Sequence, residues 1–171
     1  MEGSILLWIQ ENMRSDVLTP FFKVITLLGN TGTIWIFLSI FLLCIKSTRK
    51  IGLTCATSLL TSFIINNLIL KNLFARTRPY EVISNLNALI PFPNDYSFPS
   101  GHTAASFAVA TVIFLTMPKK YGIPALILAV LVSFSRLYLG VHYPTDVIFG
   151  MLSATIIASI CTQAILHRKT K

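Results

Sequence analysis

The sequence predicts an all-α, polytopic transmembrane helical bundle, and three observations predict it. Hydrophobic residues make up 54% of the 171-residue chain, charged residues only 12%, and the mean hydropathy is +0.72; a soluble domain carries about 25% charged residues. Nearly uncharged runs recur at close to the about 20 residues that a helix needs to cross a bilayer. The charges sit in short clusters between those runs. The net charge of +8 therefore does not form the basic face that nucleic acid binding needs, and it reports membrane topology instead.

The elements follow in order. Residues 1–23 are apolar over Ile5, Leu6, Leu7, Trp8 and Ile9 and are then interrupted by Glu11, Arg14, Asp16 and Lys23. This pattern reads as an amphipathic helix at the membrane interface, with a sixth, charge-broken span as the alternative. Five clear spans cover 24–45, 51–70, 100–118, 121–135 and 147–166, the fourth extending through Leu137, Tyr138 and Leu139 around Arg136. Small residues such as Ala104, Ala105, Ala108, Gly150 and Ala154 suit close helix packing. Asn66 and Asn67 suit hydrogen bonds between helices, and Trp8 and Trp35 suit interface anchoring or packing. Cys44, Cys55 and Cys161 lie in apolar runs without ligand-like spacing, so neither a disulfide nor zinc is expected. No basic leader or small-residue cleavage pattern opens the chain, so no cleaved signal peptide is expected. Residues 1–171 read as one membrane-embedded domain, and nothing in them sets an oligomeric state.

Three segments carry lysine and arginine but no acid: Lys46, Arg49 and Lys50; Lys119 and Lys120; and Arg168, Lys169 and Lys171. They alternate with the remaining loops, so they share one side, which the positive-inside rule makes cytoplasmic. The C-terminus is then cytoplasmic. Segments 71–99 and 136–146 face outward, as expected of an integral protein of a bacterial plasma membrane.

Three constellations of chemically capable residues fall at those outward ends. Lys71 precedes Arg78 and Pro79. Pro99, Ser100, Gly101 and His102 open the third span. Ser135 and Arg136, then His142 and Asp146, join the last two. Lys71, Arg78 and Arg136 suit a tetrahedral phosphate, arginine through its planar fork of donors. Ser100 and Gly101 would stand at a helix start, where free N–H groups and the helix dipole favour an anion. Such donors can stabilise the equatorial oxygens of a phosphoryl-transfer transition state. His142 has a carboxylate four residues on, Asp146, to fix its tautomer, and is the candidate nucleophile. His102, without such a near partner, is the candidate general acid. The outer loops offer no carboxylate cluster for magnesium, so catalysis without metal or other cofactor is expected. Each group has a plainer reading when taken singly: snorkelling cations for Lys71, Arg76 and Arg78, N-caps for Ser100 and Asp146. The joint occurrence carries the catalytic reading. Arg76 lies outside the pattern and reads as bland, His167 reads as interfacial, and Tyr80, Tyr96 and Tyr138 read as candidates for the mouth of the site.

These segments resemble the signature of the type 2 phosphatidic acid phosphatase family: lysine, six residues, Arg-Pro; then Pro-Ser-Gly-His; then Ser-Arg, five residues, His, three residues, Asp. Every fixed position is present, from Lys71 to Asp146. The resemblance implies hydrolysis of a lipid phosphate or diphosphate through phosphohistidine, without metal, near the outer leaflet. It implies His142, His102 and Asp146 as nucleophile, acid and orienting carboxylate, and Lys71, Arg78, Ser100, Gly101 and Arg136 as phosphate ligands. The expected partner is a lipid phosphate in the membrane. Undecaprenyl diphosphate, the spent carrier of cell-wall synthesis, is favoured, with phosphatidylglycerol phosphate and phosphatidate as alternatives. A vanadium haloperoxidase would hold vanadate in a similar cradle, but the known ones are soluble. An anion transporter would need charge to continue across the bilayer. A catalytically dead scaffold would not need the intact motif set.

Overall fold

The structure, a computed structural model, describes residues 1–166. His167, Arg168, Lys169 and Lys171, read above as an interfacial histidine and a cytoplasmic basic tail, lie outside the described residues. The described residues form helices and no strands: α1 Glu2–Met13, α2 Leu18–Leu28, α3 Thr33–Cys44, α4 Arg49–Ser62, α5 Lys71–Phe74, α6 Pro79–Val82, α7 Gly101–Thr116, α8 Lys119–Tyr138 and α9 Pro144–Leu166. A 3₁₀ turn, Asn30–Gly32, joins α2 to α3, and a π-helical stretch, Phe63–Leu70, joins α4 to α5.

Side-chain pairs fix the direction of each pass. Ser58 Oγ donates to the Ala108 carbonyl and Ser62 Oγ to the Ala104 carbonyl, so α4 and α7 run antiparallel. Ser100 N–H donates to the Asp146 carbonyl, and a Cβ on Gly150 would meet the Ser100 carbonyl at 2.9 Å, so α7 and α9 start side by side and run parallel. Lys71, the Ser100–His102 segment, Arg136 and His142 therefore gather at one end of the bundle, and the turns at 45–48 and 117–118 share the other.

Helix α7 is the central element. It is buried from Thr103 to Ile113 apart from Ala105 and is apolar around its circumference, as a helix enclosed by neighbours should be. Trp35, Ala108, Val112, Ala129 and Ala158 belong to the core around it. The outer faces carry the opposite signal: Phe37, Leu53, Leu60, Ile127, Leu152 and Ile160 are all exposed. A continuous apolar exterior of this extent suits lipid rather than water.

Three helical runs are long and apolar enough to cross a membrane: Arg49–Val82, Lys119–Tyr138 and Pro144–Leu166. A fourth is obtained if α2 and Asn30–Cys44 count as one span bent by 43°. The span expected over 24–45 is not one straight helix, because Thr31 and Gly32 adopt positive φ and break it. The interfacial segment also ends earlier than 23: α1 stops at Met13, and Leu18 already begins the bent span. The third predicted span, 100–118, is a 16-residue helix, Gly101–Thr116. Trp35 is not an interface anchor; it is buried and donates from Nε1 to Ser106 Oγ at 2.9 Å.

Candidate active site

Local structure delivers each candidate side chain to the same end of the bundle. Ala75, with φ of 44°, ends α5 in the left-handed region and turns the chain after Lys71. Pro79 then starts α6 at its first position, where its missing N–H costs nothing, and Arg78 stands as the extended residue before it. Ser100 precedes α7 but its hydroxyl makes no cap; it accepts from Thr103 Oγ1 at 3.1 Å instead. The first amides of α7 are thus left to face an anion. Gly101 leaves room there for the Asn67 amide, whose Nδ2 a Cβ would meet at 2.7 Å.

Lys71 and Arg78 are buried and share one carboxylate, Asp95. Arg78 Nη2 donates to Asp95 Oδ1 at 2.6 Å, and its Nε and Nη1 donate to the Asp95 and Val141 carbonyls at 2.8 and 2.7 Å. Burial alone would push the Asp95 carboxyl up, but Lys71 and Arg78 outweigh it and bring it down to about 2. Arg136 donates from Nη1 to Thr26 Oγ1 at 2.6 Å, while its buried Nε has no partner among the described residues. An orphaned buried donor on an arginine is costly unless an anion meets it.

The two histidines approach the same space. His142 is nearly inaccessible and stands between Asp146, whose Oδ2 is 3.4 Å from Nδ1, and Arg78, whose Nη1 is 3.4 Å from Nε2. Burial, helped by Arg78, Arg136 and Lys71, holds the imidazole well below the usual histidine range, so it is neutral. With the proton on the Asp146 side, the Nε2 lone pair is directed to the Arg78 side. Asp146 is fully buried and also accepts from Ser97 Oγ at 2.5 Å and from the Tyr143 N–H at 2.9 Å, closing the first turn of α9. His102 has no carboxylate close along the chain, and its partner comes from the far side of the fold: its Nε2 lies 3.0 Å from Asn30 Oδ1.

One cavity of about 1030 Å³ gathers these groups. Lys71, Arg78, Gly101, His102, Arg136 and His142 line its polar part, and Ile36, Ile40, Leu59, Leu60 and Phe63 line its continuation between α3 and α4. A cationic end with two imidazoles can hold a phosphate and exchange protons with it, and an apolar extension can take a hydrocarbon tail. Among the described residues no three His, Cys, Asp or Glu side chains group as metal ligands.

Of the sequence candidates, Ser100 and Asp146 do not line the cavity; they buttress those that do. Tyr138 does not reach the mouth, being buried against Phe22 with its hydroxyl 3.0 Å from Thr19 Oγ1. Asn66 bridges helices as expected, accepting from Ser153 Oγ at 2.7 Å, whereas Asn67 faces the cavity. Arg76 is not bland: it donates to Asp146 Oδ1 at 2.6 Å and to Glu2 Oε2 at 2.7 Å. Asp95, Asn30 and Thr26 were not singled out from the sequence. For Asn30 a signal existed, since Gly29-Asn30-Thr31-Gly32 is a turn-like string inside an apolar run.

Known proteins resemble this chain in sequence and in fold. The undecaprenyl-diphosphatase of Sulfolobus acidocaldarius is 40% identical over 130 residues, which cover 76% of this chain and 63% of that protein. The undecaprenyl-diphosphatase BcrC of Bacillus subtilis is 36% identical over 122 residues, 71% of this chain and 62% of that one. The chain thus spans less than two thirds of the length of these relatives. A PAP2 type phosphatidylglycerolphosphate phosphatase from Bacillus subtilis has the same fold, with a TM-score of 0.80 at 24% identity over 99% of this chain and 86% of its own. Aquifex aeolicus LpxE superposes with a TM-score of 0.77 at 29% identity, over 94% and 93% of the two chains. A family model described as the PAP2 superfamily matches residues 51–169, and the chain, an integral membrane protein, belongs to that superfamily.

Proposed function

We propose that this chain hydrolyses a lipid phosphate or diphosphate through a phosphohistidine on His142, with undecaprenyl diphosphate as the favoured substrate. The observation that carries the reading is the single cavity in which Lys71, Arg78, Arg136, His102 and His142 face an apolar extension. The names of the relatives from Sulfolobus acidocaldarius and Bacillus subtilis support a diphosphate headgroup. The phosphatidylglycerophosphatase B of Bacillus subtilis, 39% identical over 94 residues, supports phosphatidylglycerol phosphate as the alternative, with phosphatidate beside it.

In the first step His142 Nε2 attacks phosphorus, an N–P bond forms, and the P–O bond to the lipid breaks. His102 gives its proton to the departing lipid oxygen. Lys71, Arg78, Arg136 and the free amides at the start of α7 carry the negative charge on the equatorial oxygens. Asp146 holds the Nδ1 proton and balances the positive charge that the ring acquires. In the second step His102 takes a proton from water, the water oxygen attacks phosphorus, and the N–P bond breaks to release phosphate. The three cations do the electrostatic work that a metal ion does elsewhere, so the reaction runs without one.

The chain crosses the membrane five times, with α1 at the interface and the cavity at the outer face of the plasma membrane. Lys46, Arg49, Lys50, Lys119 and Lys120 at the opposite end support this orientation.

The deciding experiment is phosphate release by the purified protein in detergent, with a chelator present. Undecaprenyl diphosphate, phosphatidylglycerol phosphate and phosphatidate are compared side by side with a His142→Ala control. Release by the wild type alone, inhibited by vanadate, is expected, and the ranking of rates names the substrate. A folded wild type that turns over none of the three sinks the reading. Halide-dependent peroxide turnover would then favour the haloperoxidase.

A further inference from the structure

The Asp146 carboxylate is fully buried and needs a counter-charge. His142 is neutral and cannot supply it. Lys71 and Arg78 are committed to Asp95. Among the described residues, the one cation in contact with Asp146 is Arg76, whose Nη1 lies 2.6 Å from Oδ1, the oxygen that His142 does not use. Arg76 is held in turn from three sides: its guanidinium stacks over the Tyr143 ring at 3.8 Å, it donates to Thr145 Oγ1 at 2.7 Å, and its Nη2 meets Glu2 Oε2 at 2.7 Å. Glu2 uses its other oxygen to accept from the Thr145 N–H and hydroxyl at 3.0 and 2.6 Å. The first turn of α1 is thereby clamped to the first turn of α9.

We infer that Arg76 is a positioning residue of the reaction, holding the Asp146 carboxylate turned toward His142, and that Glu2 shares this guanidinium and so ties the N-terminal helix to the nucleophile. The inference rests on the function proposed above. Its logic is electrostatic. Taking away the Arg76 charge leaves Asp146 free to favour a protonated His142, and taking away the Glu2 charge does the reverse. The other charged or titratable groups facing His142 are Lys71 on α5, Arg78 just before α6, His102 on α7, Arg136 on α8 and Asp95 in the loop before α7. None of these is altered by the substitutions below.

The test measures the pH profile of kcat/KM for lipid diphosphate hydrolysis and the His142 ring titration by NMR of 15N-histidine-labelled protein. Wild type, Arg76→Gln, Arg76→Lys and Glu2→Gln are compared. Arg76→Gln is expected to lower kcat about 10–100-fold with little change in KM. It should also move the acid limb and the His142 titration upward by about one pH unit. Arg76→Lys should recover most of the titration shift, and Glu2→Gln should move the limb downward. Loss of activity with limb and titration unmoved, or loss confined to KM, overturns the inference. An unmoved or upward limb in Glu2→Gln removes the link to α1. The NMR arm reads His142 without turnover, so a wild type that titrates as expected yet hydrolyses no lipid phosphate counts against the proposed function, not against the role of Arg76.

Discussion

His102 and Asn30 meet across the break in the first long helix, with Nε2 of the ring 3.0 Å from the amide oxygen. An amide oxygen only accepts, so it keeps the Nε2 proton in place and leaves Nδ1 as the position from which a proton can be given. In the proposed reaction Asn30 steadies the protonated acid. Asn30→Ala is expected to lower kcat about 10-fold and to move the alkaline limb of the pH profile downward. Asn30→Asp should move that limb upward, because a carboxylate favours the imidazolium. Profiles of kcat for the three proteins decide it, and an alkaline limb common to all three would remove Asn30 from the mechanism.

The carboxylate shared by Lys71 and Arg78 makes a prediction about acid. Asp95, with an ordinary value of 3.8, is brought down to about 2, so its ion pairs stabilise the fold fully above pH 3.8. That contribution is lost as the pH falls through about 2. The side chain is half exposed, so screening keeps the effect modest. Melting temperatures measured from pH 5 to 2 should fall for the wild type over this window. Asp95→Asn, lacking the charge at every pH, should start lower and fall less.

Two glycines separate packing from chemistry. A Cβ on Gly52 would lie 2.4 Å from the Leu43 backbone nitrogen, where nothing flexible can give way. Gly52→Ala should force α3 and α4 apart and cost about 1–3 kcal/mol or more, visible as a lower melting temperature. A Cβ on Gly101 meets the amide end of Asn67, which can swing aside. Gly101→Ala should therefore keep the melting temperature but displace Asn67 beside the start of α7, raising KM. The reverse pattern would mean that the Gly101 contact is structural.

Thr26 is the protein partner of Arg136, accepting from Nη1 at 2.6 Å. Thr26→Val keeps the shape and removes the acceptor, leaving a second donor of a buried guanidinium unsatisfied. A loss of about 1–3 kcal/mol of stability is expected. Inorganic phosphate should restore part of it by supplying the missing acceptor, a result readable by thermal melts with and without phosphate.

Much of this arrangement was legible in the sequence because it depends on residue type and alternation along the chain. Apolar runs of span length and basic turns confined to one side sufficed to bring Lys71, Arg78, Gly101, His102, Arg136 and His142 to the other end. The break at Asn30–Gly32 was marked only by the short string Gly29-Asn30-Thr31-Gly32, because the apolar runs on either side satisfy a helix whether straight or bent. The roles of Arg76 and Thr26 were not legible at all, and for Asn30 only the turn-like string around it was. Each follows from a partner brought close only by folding: Thr26 and Arg136 are 110 residues apart, His102 and Asn30 are 72 apart, and Arg76 and Asp146 are 70 apart. Asp95 was visible as a loop acid, but nothing in its neighbours along the chain says that it would join Lys71 to Arg78.

The π-helical stretch Phe63–Leu70 lies between the packed part of the second long helix and Lys71. A stretch of this kind accommodates one residue more than regular winding would. The span therefore has slack built into it. Deleting a single lipid-facing residue there, such as Leu68 or Ile69, would tighten the coil to ordinary pitch and return Lys71 to the same bearing. The same deletion within Arg49–Ser62 has no slack to draw on and would rotate Lys71 out of the cavity. Tolerance of shortening should thus differ sharply between two adjacent stretches of one rod, and that difference marks where the helix was lengthened.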